Sequence, residues 1–319
     1  MKFLVTGGAG FIGHNVVRLL EQQGHECTII DTCTDYGYIS NVNYLVDARL
    51  KRITSKLRKI DIRETTYIDT IMRVAKIDCV IHLASYPRQK AVEADPILAG
   101  DVMTNGLVNL LELSKKNDVK KFVYVSSSMV YGDFESDVLE AMPCKPQGQY
   151  GIMKYMGEKL VEDYYRRGYF NFVTVRPSAV YGEYDVEDRV VSKFLGLALR
   201  GETLRVDGAD QVLDFTHVDD TAQGIVLAAT LNSANNKIYN ITRSDQQQYT
   251  LADAAKLAID IVGQGSIEQA PRNVLFPRRG RLSIMRAQRD LGYTPLVDIE
   301  QGFQRYYDWL TQNSILWRR

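Results

Sequence analysis

The sequence predicts an α/β fold, a doubly wound parallel sheet with a smaller α/β lobe interleaved with it towards the C-terminus. Three observations carry that prediction. Short β-branched runs alternate with longer amphipathic stretches through the first half of the chain, the pattern of successive βαβ units. A glycine cluster falls at the first junction between such a run and a helix, at the sheet edge where open α/β folds bind ligands. Length and composition agree: 319 residues, 45% hydrophobic and 24% charged, are ordinary for a globular chain that buries its own core, and they exclude disordered, coiled-coil and collagen-like classes.

Taken in order, Lys2 to Thr6 is the first short strand and Phe11 to Gln23 the first stretch with apolar residues recurring at three and four. Glu26 to Asp31 is the second strand. Leu57 to Asp61 is the third, followed by a helix over Glu64 to Ala75; Asp78 to His82 is the fourth, followed by a long helix over Leu98 to Lys116. Lys121 to Ser126 and Asn171 to Val175 make the fifth and sixth, on either side of a helix over Gln149 to Arg167. Beyond Arg176 the alternation loosens. Helices are expected near Val190 to Arg200, Asp219 to Thr230, Leu251 to Val262, Ser283 to Leu291 and Ile299 to Gln312, with a strand around Thr203 to Val206. Lys237 to Ile241 is strand-like and is expected to rejoin the parallel sheet. Residues 1–176 therefore form the dinucleotide-type domain, with later segments returning to it, and residues 177–319 the second lobe.

Lys plus Arg equals Asp plus Glu, 39 against 39, so no long-range field draws the chain to nucleic acid or to an acidic membrane. The run Arg278-Arg279-Gly280-Arg281 then reads as a solvated loop or a phosphate site, and Tyr164-Tyr165 and Tyr306-Tyr307 as helix packing. Cys27, Cys33, Cys79 and Cys144 form no CxxC pair, and with His14, His25, His82 and His217 they show no zinc-ligand spacing, so no metal site is expected. Four thiols without a pairing pattern suit a reducing compartment. Phe3-Leu4-Val5 is too short an apolar run for a signal peptide or a membrane span, and a cytoplasmic protein is expected.

The loop Thr6-Gly7-Gly8-Ala9-Gly10-Phe11-Ile12-Gly13 lies between the first strand and the first helix. Glycines at 7, 10 and 13 permit a tight turn, a close approach to a pyrophosphate and close helix-to-strand packing, while the helix start at Phe11 and Ile12 turns free N–H groups to the phosphates. Asp31 ends the second strand about 20 residues on, placed to accept hydrogen bonds from a ribose and to repel a 2′-phosphate. Loop and carboxylate together predict a Rossmann-type NAD site. Asp61 and Ile62 after the third strand are assigned to the adenine pocket, although Asp61 also reads as a helix cap; His82 reads as a packed strand end, with Leu83 and Ala84 beside the cofactor.

Tyr150 and Lys154 stand one helical turn apart on one face. A lysine ammonium near a phenol favours the phenolate, and a nicotinamide cation adds the same push, so the tyrosine is brought towards working pH as an acid–base group. Ser126-Ser127-Ser128 ends the preceding strand and supplies a hydroxyl for the same substrate oxygen.

With these motifs in hand, the chain resembles the extended short-chain dehydrogenase/reductases, in their nucleotide-sugar epimerase/dehydratase branch. The likeness rests on the TGGAGFIG loop, Asp31, Asp61-Ile62-Arg63, His82-Leu83-Ala84, SSSMVYG, Tyr150 with Lys154, Arg176-Pro177 leading to Val180-Tyr181-Gly182, Asp214-Phe215-Thr216-His217-Val218-Asp219-Asp220 and Leu291-Gly292-Tyr293-Thr294-Pro295. It implies a bound NAD that oxidises a sugar hydroxyl, with Tyr150 as base, Lys154 orienting it and the nicotinamide ribose, Ser127 holding the reacting oxygen and Pro177 beside the cofactor. It also implies a homodimer through a helix pair, for which Met153, Met156 and Leu160 offer an apolar stripe that core packing explains equally well.

Dehydratases and decarboxylases of the branch carry a carboxylate shortly after the serine; here Ser128 and Met129 follow it, so the resemblance points to a 4-epimerase. The branch often has Asn before Val-Tyr-Gly and Arg before Asp-Phe, both used on the nucleotide diphosphate. This chain has Ala179 and Leu213 there, while Arg278 takes the place of a later family arginine, with Arg189 and Arg279 as alternatives. Tyr86, Arg88, Ser128 and Ser178 complete the expected sugar pocket. The expected substrate is a UDP-hexose or UDP-hexuronate. The rivals are a dehydrogenase, reductase or dehydratase of the same branch, and a dinucleotide-sensing protein that has lost its chemistry, against which Ser127, Tyr150 and Lys154 argue.

Overall fold

The structure, a computed structural model, describes residues 1–35, 42–135, 137–185, 189–245, 248–274 and 276–317. Its first half follows β1 (Lys2–Thr6), α1 (Phe11–Gln22), β2 (Glu26–Asp31), α2 (Val42–Leu50), β3 (Leu57–Lys59), α3 (Thr65–Ala75), β4 (Cys79–His82), α4 (Gln89–Ala94), α5 (Pro96–Gly100), α6 (Leu107–Lys116), β5 (Lys121–Val125), α7 (Gly148–Arg166) and β6 (Asn171–Pro177). The second half follows β7 (Val180–Tyr181), α8 (Val190–Leu199), β8 (Thr203–Asp207), β9 (Val212–Leu213), β10 (Thr216–His217), α9 (Val218–Thr230), β11 (Lys237–Ile241), β12 (Tyr249–Thr250), α10 (Leu251–Val262), β13 (Ser266–Ala270), α11 (Met285–Leu291) and α12 (Ile299–Gln312).

Because β1, β4, β5 and β6 are almost wholly apolar and buried on both faces, they pair only in the interior of a parallel sheet. The observed sheet has seven strands in the order β11-β6-β5-β4-β1-β2-β3, parallel throughout. Lys237–Ile241 does return to it, pairing with β6 from Lys237↔Val173 to Ile241↔Pro177. One face packs on α1 and α9 through Val16, Val17, Leu20, Ile225 and Val226; the other packs on α3, α6 and α7 through Ile68, Met72, Leu107, Leu110 and Val161. A separate core of the second lobe joins α8, β8, α10 and α12 around Phe194, Leu204, Ala255 and Phe303.

Several expected bounds shift, each for a local reason. The third strand stops at Lys59, where its register with Asp31 runs out, and does not reach Asp61. The long helix expected over Leu98 to Lys116 is split: Asp95 caps α5 by accepting from the Leu98 N–H at 3.0 Å, and a π-helical turn over Asp101–Gly106 precedes α6. Ser283 is outside α11 because its N–H is spent on the Val138 carbonyl, 3.0 Å away. Helices α2 and α4 were not expected. Of the apolar stripe on α7, Met153 packs with Tyr86, Val92 and Met103, and Leu160 packs against the core under α6.

Two features lock α7 onto the sheet and so fix the residues it carries. The Arg176 guanidinium of β6 donates to both Glu158 oxygens, at 2.9 and 2.6 Å, in a pair that is 2% exposed on each side. A Cβ at Gly157 would meet the Tyr124 hydroxyl at 2.2 Å, so only glycine allows the helix to lie this close to β5. Among the described residues no helix is long and apolar enough to cross a membrane.

Candidate active site

The carboxyl ends of β1, β4, β5 and β6 open onto one cleft of about 820 Å³. At its floor the first glycine loop turns tightly: the Gly10 N–H donates to the Gly7 carbonyl at 3.0 Å, and a Cβ at Gly13 would stand 2.1 Å from that same oxygen. Gly10 precedes α1 with no side-chain cap, leaving the first N–H groups of the helix directed at the cleft, an anion-accepting arrangement. Gly7, Gly10, Phe11, Ile12 and Gly13 all line it.

Asp31 lies beside the loop at the end of β2. Its carboxylate accepts from the Ala9 N–H at 3.0 Å and the Cys33 N–H at 2.8 Å. Burial lifts its pKa, against the pull of those donors and of Arg49. Asp61 and Ile62 line the same end of the cleft, with Asp61 paired to Arg63 at 2.7 Å, and Leu83 and Ala84 follow β4. His82 is buried behind them, bonded to the Thr6 hydroxyl at 2.7 Å and kept out of the cleft.

At the other end Ser127, Tyr150, Lys154 and Pro177 come together. The serine closes β5 and accepts from the Met129 N–H at 3.2 Å, with its hydroxyl beside the Tyr150 phenol. Tyr150 is set at the start of α7 by its own N–H, which donates to Gln89 Oε1 at 3.1 Å. Lys154 Nζ donates to the Val125 carbonyl at 2.9 Å and stands 5.9 Å from the centre of the Tyr150 ring. Burial brings its ammonium from the ordinary 10.5 to about 7, against the opposing charge of Glu158. Burial likewise raises the Tyr150 phenol, opposed by the Arg189 charge and the Ser127 hydrogen bond. Arg189 is thus a further cation that acts on the phenol, one that the spacing of Tyr150 and Lys154 gave no sign of.

Tyr86, Arg88, Ser128 and Arg189 also face the cleft. Two expected substrate residues do not. Ser178 is buried behind the wall, where its Oγ accepts from Ser128 Oγ at 3.1 Å. Arg278 points outwards, 62% exposed and 3.6 Å from Asp210, because its N–H is pinned to the exposed Asp133 carboxylate. Its neighbour Arg279 turns into the cleft instead, with Nε buried and without a hydrogen-bond partner among the described residues; burial brings the guanidinium to about 10. Ala179 and Leu213 line the wall where the branch often has Asn and Arg, and Ala179 holds a left-handed φ of 38°. Gln89 and Arg49, both lining the cleft, gave no sequence signal, since neither sits in a motif or a periodic stretch.

A dinucleotide fits these residues: the uncapped helix start would take its pyrophosphate, Asp31 a ribose and Lys154 the nicotinamide end. Sheet, loop and Tyr–Lys pair define a Rossmann enzyme of the short-chain dehydrogenase/reductase class. The chain belongs to the NAD dependent epimerase/dehydratase family, which it matches over residues 3–242. It is 30% identical, over 98% of its length and 99% of the relative's, to a Methanocaldococcus jannaschii protein carrying the provisional name UDP-glucose 4-epimerase. It is also 30% identical, over 99% of its length and 94% of the relative's, to a Streptomyces antibioticus dTDP-glucose 4,6-dehydratase. Among solved structures it is similar to the UDP-glucuronic acid 4-epimerase of Bacillus cereus in complex with UDP-glucuronic acid and NAD, at 26% identity and a TM-score of 0.89, over 98% of this chain and all of that one. The cofactor is NAD, and the family comprises NAD-dependent nucleotide-sugar epimerases, dehydratases and decarboxylases.

Proposed function

We propose that the protein is a nucleotide-sugar 4-epimerase acting on a UDP-hexose or UDP-hexuronate. One observation carries the choice among the reactions of the family: Ser127 and Tyr150 meet over the cleft, and the positions after the serine are Ser128 and Met129, neither of them a carboxylate, the methionine unable to transfer a proton at all. The carboxylates that do line the cleft are engaged elsewhere, Asp31 with Ala9, Asp61 with Arg63, Asp185 with Arg189 and Asp207 with Arg205.

Bound NAD supplies the acceptor and donor of the C4 hydrogen. Ser127 holds the C4 oxygen through its hydroxyl, and Tyr150 takes the proton from that oxygen and returns it. Lys154, fixed on the Val125 carbonyl, keeps the nicotinamide ribose and the phenol in register. The 4-keto sugar turns over between the two transfers, and Arg279 with Arg189 holds the diphosphate while the sugar moves. The B. cereus structure, which carries UDP-glucuronic acid and NAD in the same fold, supports this reading. A homodimer through the face of α7 that leaves Ile152 exposed accords with it.

The test is incubation with a panel of nucleotide sugars, followed by NMR of the sugar ring. Interconversion of C4 epimers without net NADH formation is expected; a 4-keto-6-deoxy or decarboxylated product would overturn the assignment.

A further inference from the structure

Arg49 closes α2, a helix with no counterpart in the sequence expectations, and its side chain is buried between the two lobes. Its Nε and Nη2 both donate to the carbonyl of Tyr184, at 3.0 and 2.7 Å, while Nη1 reaches the Ala9 carbonyl of the glycine loop only at 3.4 Å. Tyr184 is the unusual partner. Its φ is +69°, the left-handed region that a bulky residue adopts only where its surroundings over-determine it.

Those surroundings are residues of the cofactor-binding half. The Arg52 guanidinium lies 4.4 Å from the centre of the Tyr184 ring, and the His14 ring meets it edge-on at 5.6 Å. From the second lobe Trp309 packs on the ring at 4.9 Å. The next residue, Asp185, is buried and pairs with Arg189 Nε at 3.0 Å, so Tyr184 is tied through its neighbour's carboxylate to a guanidinium that lines the cleft. Arg189 in turn lies 5.7 Å from the ring of Phe11, over the dinucleotide loop.

We propose that Arg49 is a positioning residue for substrate binding: by gripping the Tyr184 carbonyl it holds Asp185 and, through the Asp185–Arg189 ion pair, the Arg189 guanidinium at the nucleotide-diphosphate end of the cleft. The inference rests on the nucleotide-sugar reading given above. Two short bonds to Tyr184 against one long bond to Ala9 mean that Arg49 serves Tyr184 and the adjoining ion pair more than the cofactor loop, which keeps its own Gly10–Gly7 and Ala9–Asp31 bonds.

The experiment compares wild type, Arg49→Met, Asp185→Asn and the double variant as purified holoenzyme. It measures bound NAD, affinity for UDP and dTDP by calorimetry, and kcat and KM. Arg49→Met is expected to retain NAD and weaken nucleotide binding about tenfold, with KM rising and kcat moving much less; Asp185→Asn should do the same, and the double variant no more than either alone, since both act through the one ion pair to Arg189. Arg49→Lys, which keeps the charge but cannot grip one carbonyl with two N–H groups, should resemble Arg49→Met and decides the matter if that variant does not fold. Unchanged nucleotide affinity in an NAD-loaded Arg49 variant, additive effects in the double variant, or loss of NAD with KM intact would overturn the proposal while leaving the epimerase reading standing. Wild-type protein that binds NAD but neither nucleotide would bring down both.

Discussion

At Tyr150 the protein works against the ordinary cost of burying an acid–base group. Burial raises the phenol, while Ser127 and the Arg189 charge pull the other way, and Lys154 near 7 stands ready on the same helix. Replacing Tyr150 by Phe keeps the ring and removes only the proton-transferring oxygen. The variant is expected to retain its NAD and to lose roughly 10²–10⁴ in turnover, the usual contribution of one positioned acid–base group, measured as epimer interconversion by NMR. Turnover within a factor of two of wild type would remove Tyr150 from the chemistry. Ser127, Tyr150 and Lys154 were legible in the sequence because chain-local spacing on a strand end and a helix fixes where they point. The arginines were not. Whether Arg278 or Arg279 faces the cleft depends on hydrogen bonds to a distant stretch of chain, the Arg278 N–H donating to Asp133, 145 residues away, and the Arg278 carbonyl accepting from the Phe134 N–H at 2.9 Å, which no local pattern encodes.

Among the elements, α1 and β4 each carry a histidine that the fold keeps neutral. Burial takes His14 and His82 from the ordinary 6.5 to about 3, and neighbouring arginines or Lys154 add to the shift. Both bases bind protons more readily in the unfolded chain, so the stability tied to them is complete above about pH 6.5 and is lost as pH falls towards 3. Asp214, which burial lifts from 3.8 to about 6, works in the opposite sense, since the folded state holds its proton longer. Burial raises the Asp31 and Asp220 carboxyls as well, but the two imidazoles carry the larger shifts, and the denaturant midpoint is expected to fall between pH 6.5 and 4. His82→Gln, which cannot be protonated, should flatten that decline; an equally steep profile would remove His82 as a cause. The elements themselves were readable where apolar periodicity is strong, as in β1, α1 and β5. They were missed where contacts made far away decide the conformation. α2 carries few apolar residues facing any core, and the break before α6 follows from Asp95 and Pro96 together with the π-helical turn.

Over the whole molecule, the chain leaves the sheet after β6, gives α8 and β8 to a second apolar core, and returns as β11 before α10 and α12 complete that core. That threading places the cofactor loop, the Tyr–Lys helix and the arginines of the second lobe around one cleft, and β11 could be anticipated because its alternation is that of a strand. In the proposed 4-epimerase the outcome would depend on all three, because a 4-keto sugar must be freed to rotate without being released. The most direct measurement is turnover of UDP-hexose or UDP-hexuronate carrying deuterium at C4, in ordinary water, followed by NMR and mass spectrometry. The account predicts an inverted C4 that keeps its deuterium, with no net NADH. Deuterium lost to solvent, or accumulating in released cofactor alongside a keto sugar, would contradict it.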